Sequence, residues 1–169
     1  NDRVEECNDA LKIINNKFND NYSTLCDVNP QKVYNLKNIL DTEIYNRASF
    51  VINENQRTYD AAKKLNESKF YDLGGLMYKS HLGLKDLYEV SCDELDFLVD
   101  LTKSYDKILG ARMMGGGFGG CTINLVEKSF KDEFIERAYK CYKDKFTIDL
   151  TPIEITICDG VKIKNLQTD

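Results

Sequence analysis

Apolar residues recur at helical spacing through the first hundred positions and alternate at strand spacing beyond them. Val4, Cys7, Leu11, Ile14 and Phe18 predict an amphipathic helix over Arg3 to Phe18, ended by Asn15-Asn16 and Asn19-Asp20-Asn21. Pro30 reads as the first residue of a short helix with Asn29 as its N-cap, and a second turn covers Leu36 to Leu40. Thr42 to Leu65 predicts a long helix on Ala48, Val51, Ile52, Tyr59, Ala62 and Leu65, closed by Asn66. Ser68 reads as the cap of the next helix, whose stripe is Phe70, Leu73, Met77, Ser80 and Leu84. Gly74, Gly75 and Gly83 weaken that helix by ~1 kcal/mol each relative to alanine, so they mark close packing or a break. Ser91-Cys92-Asp93-Glu94 has the form of a capping box, opening a helix to about Lys103 on Leu95, Leu98 and Val99.

The period then changes. Leu109, Ala111 and Met113 share one face of a strand, and Cys121, Ile123 and Leu125 alternate with Thr122 and Asn124. Ser129 reads as the cap of a further helix with Phe130, Phe134, Ala138, Cys141 and Tyr142 on its buried side. Ile153, Ile155 and Ile157 alternate with Glu154, Thr156 and Cys158, Asp159-Gly160 signals a tight turn, and Val161 and Ile163 continue a return strand. The expectation is a single α+β domain over residues 1–169, helical over 1–105 and β-β-α-β-β over 106–165. Its core would be a four-stranded antiparallel sheet with helices packed on one face.

Composition narrows the function classes. The chain has 169 residues, 42% hydrophobic and 30% charged, with a net charge of −5, which fits a globular domain and disfavours nucleic acid as a partner. No apolar run reaches membrane-spanning length and no secretory signal opens the chain. Six scattered cysteines and one histidine argue against a zinc site and for reduced thiols in the cytoplasm. There is no Walker lysine loop, no Ser-His-Asp set and no metal-binding histidine cluster. The charged, helix-forming opening (Asp2 to Lys17) reads as a position inside a longer protein.

One stretch does suggest chemistry. Gly115-Gly116-Gly117-Phe118-Gly119-Gly120 holds five of the ten glycines, between two strand-like segments. Such a run suits backbone at positive φ or in close approach to a ligand, where N–H groups face an anion. A plain turn between strands also wants glycine. Arg112 is the permanent cation beside the loop, able to reach a phosphate or a carboxylate that braces it. Phe118 would anchor the loop by burying its ring, and Cys121 reads as a small buried hydrophobe. His81 and Ser80 read as packing groups between helices rather than a catalytic base and a nucleophile, and Tyr88 and Glu89 as organisers of a helix end.

Gly110-Ala111-Arg112-Met113-Met114 followed by Gly115 to Thr122 resembles the third signature motif of the GHMP kinases, in the form it takes in galactokinases. Gly75-Leu76-Met77 with Ser80-His81, Tyr88-Glu89-Val90-Ser91-Cys92 with Glu94-Leu95-Asp96, and Arg3 to Cys7 resemble further segments of the same family, in family order from Arg3 to about Val161. Met114 stands where threonine is common, Asp93 where proline is usual, and Lys85 where the family run has arginine, which removes bidentate contacts.

The resemblance implies a GHMP kinase C-terminal domain, ferredoxin-like in its β-β-α-β-β core, separated from an N-terminal catalytic domain. That missing domain would carry the main phosphate loop, the catalytic aspartate and arginine, and most sugar contacts. It implies ATP and magnesium in the full-length enzyme and neither in this piece alone, a small sugar as the phosphoryl acceptor, and no catalytic residue within the chain. Gly115, Gly116, Gly117, Phe118, Gly119 and Gly120 would form the phosphate-side loop, with Arg112 and Cys121 in support. Two alternatives stay open: an N-acetylgalactosamine kinase, and a sugar and ATP sensor without catalysis. Phe118 and the all-glycine run before it favour the galactose form over the first.

Overall fold

The computed structural model describes residues 2–156. Helix α1 (Asp2–Phe18) lies along α3 (Thr42–Asn66), with two 3-10 turns and the single-turn α2 (Val33–Leu36) between them. Ala10, Ile14, Leu36, Ala48 and Ile52 are fully buried where these helices meet. Asn29 caps as expected, its side chain accepting from the Gln31 amide ahead of Pro30. Asp41 caps α3 through the Ile44 amide. The apolar stripe of α3 is only half used. Tyr59 and Leu65 are exposed on the second half of α3, and Val4 is exposed on α1.

Helix α4 (Phe70–Asp86) packs on α3 and along β1. Ser68 does not cap it. Ser68 sits at φ +56 in the turn, and Lys69 takes the N-cap position. Of the three helical glycines, two are close-packing sites. A Cβ on Gly74 would stand 1.8 Å from the Leu109 carbonyl oxygen, and one on Gly83 would stand 2.7 Å from the Phe50 ring. Helix α5 (Asp93–Thr102) begins with Cys92 at its N-cap, and no side chain caps it. The expected capping box is absent because the Ser91 hydroxyl donates instead to the Asp96 carboxylate at 2.5 Å, a stronger charge-assisted bond.

Strands β1 (Ile108–Met114) and β2 (Cys121–Val126) form an antiparallel pair, with Gly110 opposite Leu125 and Met114 opposite Cys121. An irregularity between Ile108 and Gly110 shifts the register, so Ala111 and Met113 keep the buried face while Leu109 is half-buried. A 3-10 turn leads into α6 (Lys131–Phe146), which packs on α5 and buries Phe134, Ala138 and Tyr142. Phe130, Phe134 and Tyr105 form an aromatic cluster beneath it.

The architecture is α+β with an antiparallel sheet, but two strands stand among the described residues where four are expected. Residues 151–156 adopt no regular structure, and Ile153 and Ile155 are 70% and 63% exposed. Alternation decides which side chains share a face; a strand also needs a neighbour for its N–H and C=O groups, and this segment has none among the described residues. The rest of the expected hairpin, from Ile157 through Asp159-Gly160 to Ile163, lies outside the described residues.

Candidate functional site

The six residues from Gly115 to Gly120 close the β1–β2 hairpin. Gly115, Gly117, Gly119 and Gly120 have φ of +92°, +86°, +130° and +97°, a region that side chains disfavour. Gly116 is different. It lies outside the left-handed region, and a Cβ built on it meets nothing within 4 Å. Among the described residues there is a reason for glycine at four positions and none at Gly116.

The loop is tied down by its main chain. The Phe118 amide donates to the Val90 carbonyl at 2.8 Å. Among the described residues it is the one loop amide bonded to a backbone carbonyl outside the strand ladder. Gly117 lies flat against the same residue: a Cβ there would stand 2.1 Å from the Val90 oxygen. Val90 is itself held in a buried cluster with Leu95 and Met113. The expected anchoring by the Phe118 ring is overturned. The residue sits at φ +58° and is 74% exposed, so its amide faces Val90 while its ring stands in solvent.

Behind the loop, His81 joins three elements. Its Nδ1 accepts from the Met113 amide at 3.3 Å, and its Nε2 lies 3.3 Å from the Asp96 carboxylate. Burial pushes His81 below the ordinary imidazole range, against the pull of Asp96, which keeps Nδ1 an acceptor. Burial alone would raise Asp96, but hydrogen bonds from Lys85 and Ser91 outweigh it and hold the carboxyl below its usual range. His81 therefore fastens α4 to β1 and α5.

Arg112 turns away from the loop toward α3. Its Nη1 lies 3.5 Å from Glu54, and its Nε donates to the Met113 carbonyl at 3.0 Å. Ser80 and Arg57 donate to the same Glu54 carboxylate. Of the two partners weighed for Arg112, this geometry supplies the carboxylate. Cys121 is exposed beside Met114, not buried, because it opens β2 at the rim of the hairpin. Among the described residues, no three His, Cys, Asp or Glu gather to hold a metal ion.

Two residues that pattern reading passed over matter here. Glu54 reads as one charge on a charged helix face, yet three donors converge on it. Arg47 is 1% exposed and bonds Glu6, Glu43, Glu89 and the Leu87 carbonyl. Opposition of Arg47 to acidic residues at helical spacing, as with Glu43 four residues before it, is the only local signal.

Residues 61–144 match the family model described as GHMP kinases C terminal. The galactokinase of Thermotoga neapolitana is 39% identical over 162 residues, covering 96% of this chain and 43% of that protein. That of Clostridium acetobutylicum is 37% identical over 163 residues, covering 96% and 41%. The crystal structure of Lactococcus lactis galactokinase complexed with galactose superposes with a TM-score of 0.81 at 30% identity, over 88% of this chain and 38% of that one. The chain belongs to the GHMP kinase family and corresponds to the C-terminal part of its galactokinases. It spans 43% of the length of the first of these relatives.

Proposed function

We propose that this chain is the C-terminal half of a sugar kinase that transfers the γ-phosphoryl group of ATP to galactose, and that it supplies the nucleotide-side wall of the site. The observation that carries the reading is Gly116. Neither backbone conformation nor a neighbour among the described residues requires glycine there, and the bare Cα leaves room for a group that approaches from outside the chain. A phosphate chain fits. Phosphoryl transfer is governed by positioning and charge stabilisation, and a loop bare of side chains lets N–H dipoles reach the oxygens.

Gly115, Gly116, Gly117, Gly119 and Gly120 form that wall, with the main chain of Phe118 as its anchor. Arg112 and Cys121 flank it, Arg112 bracing β1 through Glu54. The full-length kinase would use ATP with magnesium; among the described residues no three His, Cys, Asp or Glu gather to hold an ion. The catalytic groups and most sugar contacts belong to a partner domain N-terminal to this one. No helix among the described residues is long and apolar enough to cross a membrane, and we place the protein in the cytoplasm with its sugar substrate.

The test is a coupled ADP-release assay on the intact protein with a panel of hexoses and N-acetylgalactosamine. Galactose-dependent release, with none from this chain alone, supports the proposal. Release by this chain alone, or none by the intact protein with any sugar, refutes it.

A further inference from the structure

We propose that Arg47, on α3 and remote from the glycine loop in sequence, is a positioning residue for that loop, acting through the turn from Leu87 to Val90. Arg47 Nη1 donates to the Leu87 carbonyl, and Nη2 donates to Glu89 at 2.7 Å and to Glu43 at 3.2 Å. Its Nε donates to Glu6 at 3.1 Å. Glu6 in turn accepts from Arg3, whose Nε donates to the Tyr88 carbonyl at 2.7 Å. The carbonyls of Leu87 and Tyr88 are thus each held by an arginine, and Glu89 is held by its side chain. The next carbonyl, that of Val90, receives the Phe118 amide of the loop.

Two features show that this turn is held rather than relaxed. Glu89 sits at φ +53°, a conformation that side chains avoid unless the surroundings impose it. Arg47 is almost wholly buried, and a buried guanidinium adds little net stability over an apolar residue of the same size. What the charge adds is geometric. Its planar fork spans Leu87, Glu89 and Glu6 at once, which a lysine or a hydrocarbon cannot do. The bonds to Glu89 and Glu6 outweigh burial and raise the arginine's proton affinity further, so it stays charged. The turn's geometry passes directly to the loop, because Gly117 has no clearance from Val90.

The functional half of this inference rests on the loop being the nucleotide-side wall; the structural half does not. The experiment uses the intact protein carrying Arg47→Lys and, separately, Glu89→Gln, which leaves no buried vacancy. Hydrogen exchange by mass spectrometry reads the segment 115–121, with residues 8–18 of α1 as the internal reference. The protected loop amide is expected to exchange roughly tenfold faster in Arg47→Lys, and by a smaller factor in Glu89→Gln, with the reference unchanged. The KM for ATP should rise several-fold with the KM for the sugar unchanged. Unaltered loop exchange in both variants, or acceleration matched by the reference segment, overturns the proposal. If Arg47→Lys does not fold, Glu89→Gln decides alone. Absence of kinase activity in the unsubstituted protein would refute the functional reading while leaving the exchange result to judge Arg47.

Discussion

Gly74 of α4 and Gly110 of β1 touch backbone to backbone: a Cβ built on Gly110 would stand 2.3 Å from the Gly74 Cα. This contact sets how closely the helix lies on the strand that leads into the glycine loop. Gly75, one residue along, faces open space. Gly74→Ala is therefore expected to lower unfolding free energy by about 3 kcal/mol or more, because backbone must move. Gly75→Ala should be neutral or stabilising by up to ~1 kcal/mol through helix propensity. Denaturant titration of the two variants gives the comparison, and equal losses would contradict the packing assigned to Gly74.

His81 predicts a pH dependence. Its folded value lies below the ordinary 6.5 because burial disfavours the imidazolium. The unfolded chain therefore binds the extra proton first as pH falls. The stability contribution is complete above about pH 6.5 and is lost as pH drops toward the folded value, at up to ~1.4 kcal/mol per pH unit. The charges of Asp96 and Asp100 favour the imidazolium and those of Lys103 and Lys85 oppose it, but burial is the larger effect. His81→Gln should flatten this part of the profile while leaving the acid limb of the carboxylates. A profile identical to that of the unsubstituted protein would show that His81 is not buried neutral.

Arg112 and Glu54 separate bracing from phosphate binding. Arg112 is partly exposed and its ion pair is long, so Arg112→Gln should cost no more than ~1 kcal/mol and leave the KM for ATP within about twofold. Glu54→Gln should cost more, about 1–3 kcal/mol, because Ser80, Arg57 and Arg112 all lose a charged acceptor. A large rise in KM for ATP in the arginine variant would move its guanidinium onto a phosphate.

Much of the helical layer was legible because burial there follows a simple period. Ile14, Ala48 and Ile52 fall where a 3.6-residue repeat puts them, and Asn29 before Pro30 caps as its chemistry requires. Periodicity could not say how far a neighbour extends, which is why Tyr59 and Leu65 share the stripe yet face solvent. It could not see Arg47 as buried, since its partners Glu6 on α1 and Leu87 and Glu89 in the turn after α4 are distant in the chain. The glycine loop was legible as a loop, but its anchor was not: the Phe118 ring was the visible candidate, whereas a main-chain bond to Val90 does the holding. Ser91 misled in the same way, because Asp96 competes for its hydroxyl through a contact that only the folded turn creates.

If the loop faces a nucleotide, a side chain at Gly116 stands in its way. Gly116→Val in the intact protein introduces a side chain at a position that is free of positive φ and of neighbours within 4 Å among the described residues. The expected result is a fall of at least tenfold in kcat/KM for ATP, with a melting temperature within about 2 °C of the unsubstituted protein. Unchanged use of ATP by a folded Gly116→Val protein, or a loss of activity no greater than its loss of stability, would contradict it.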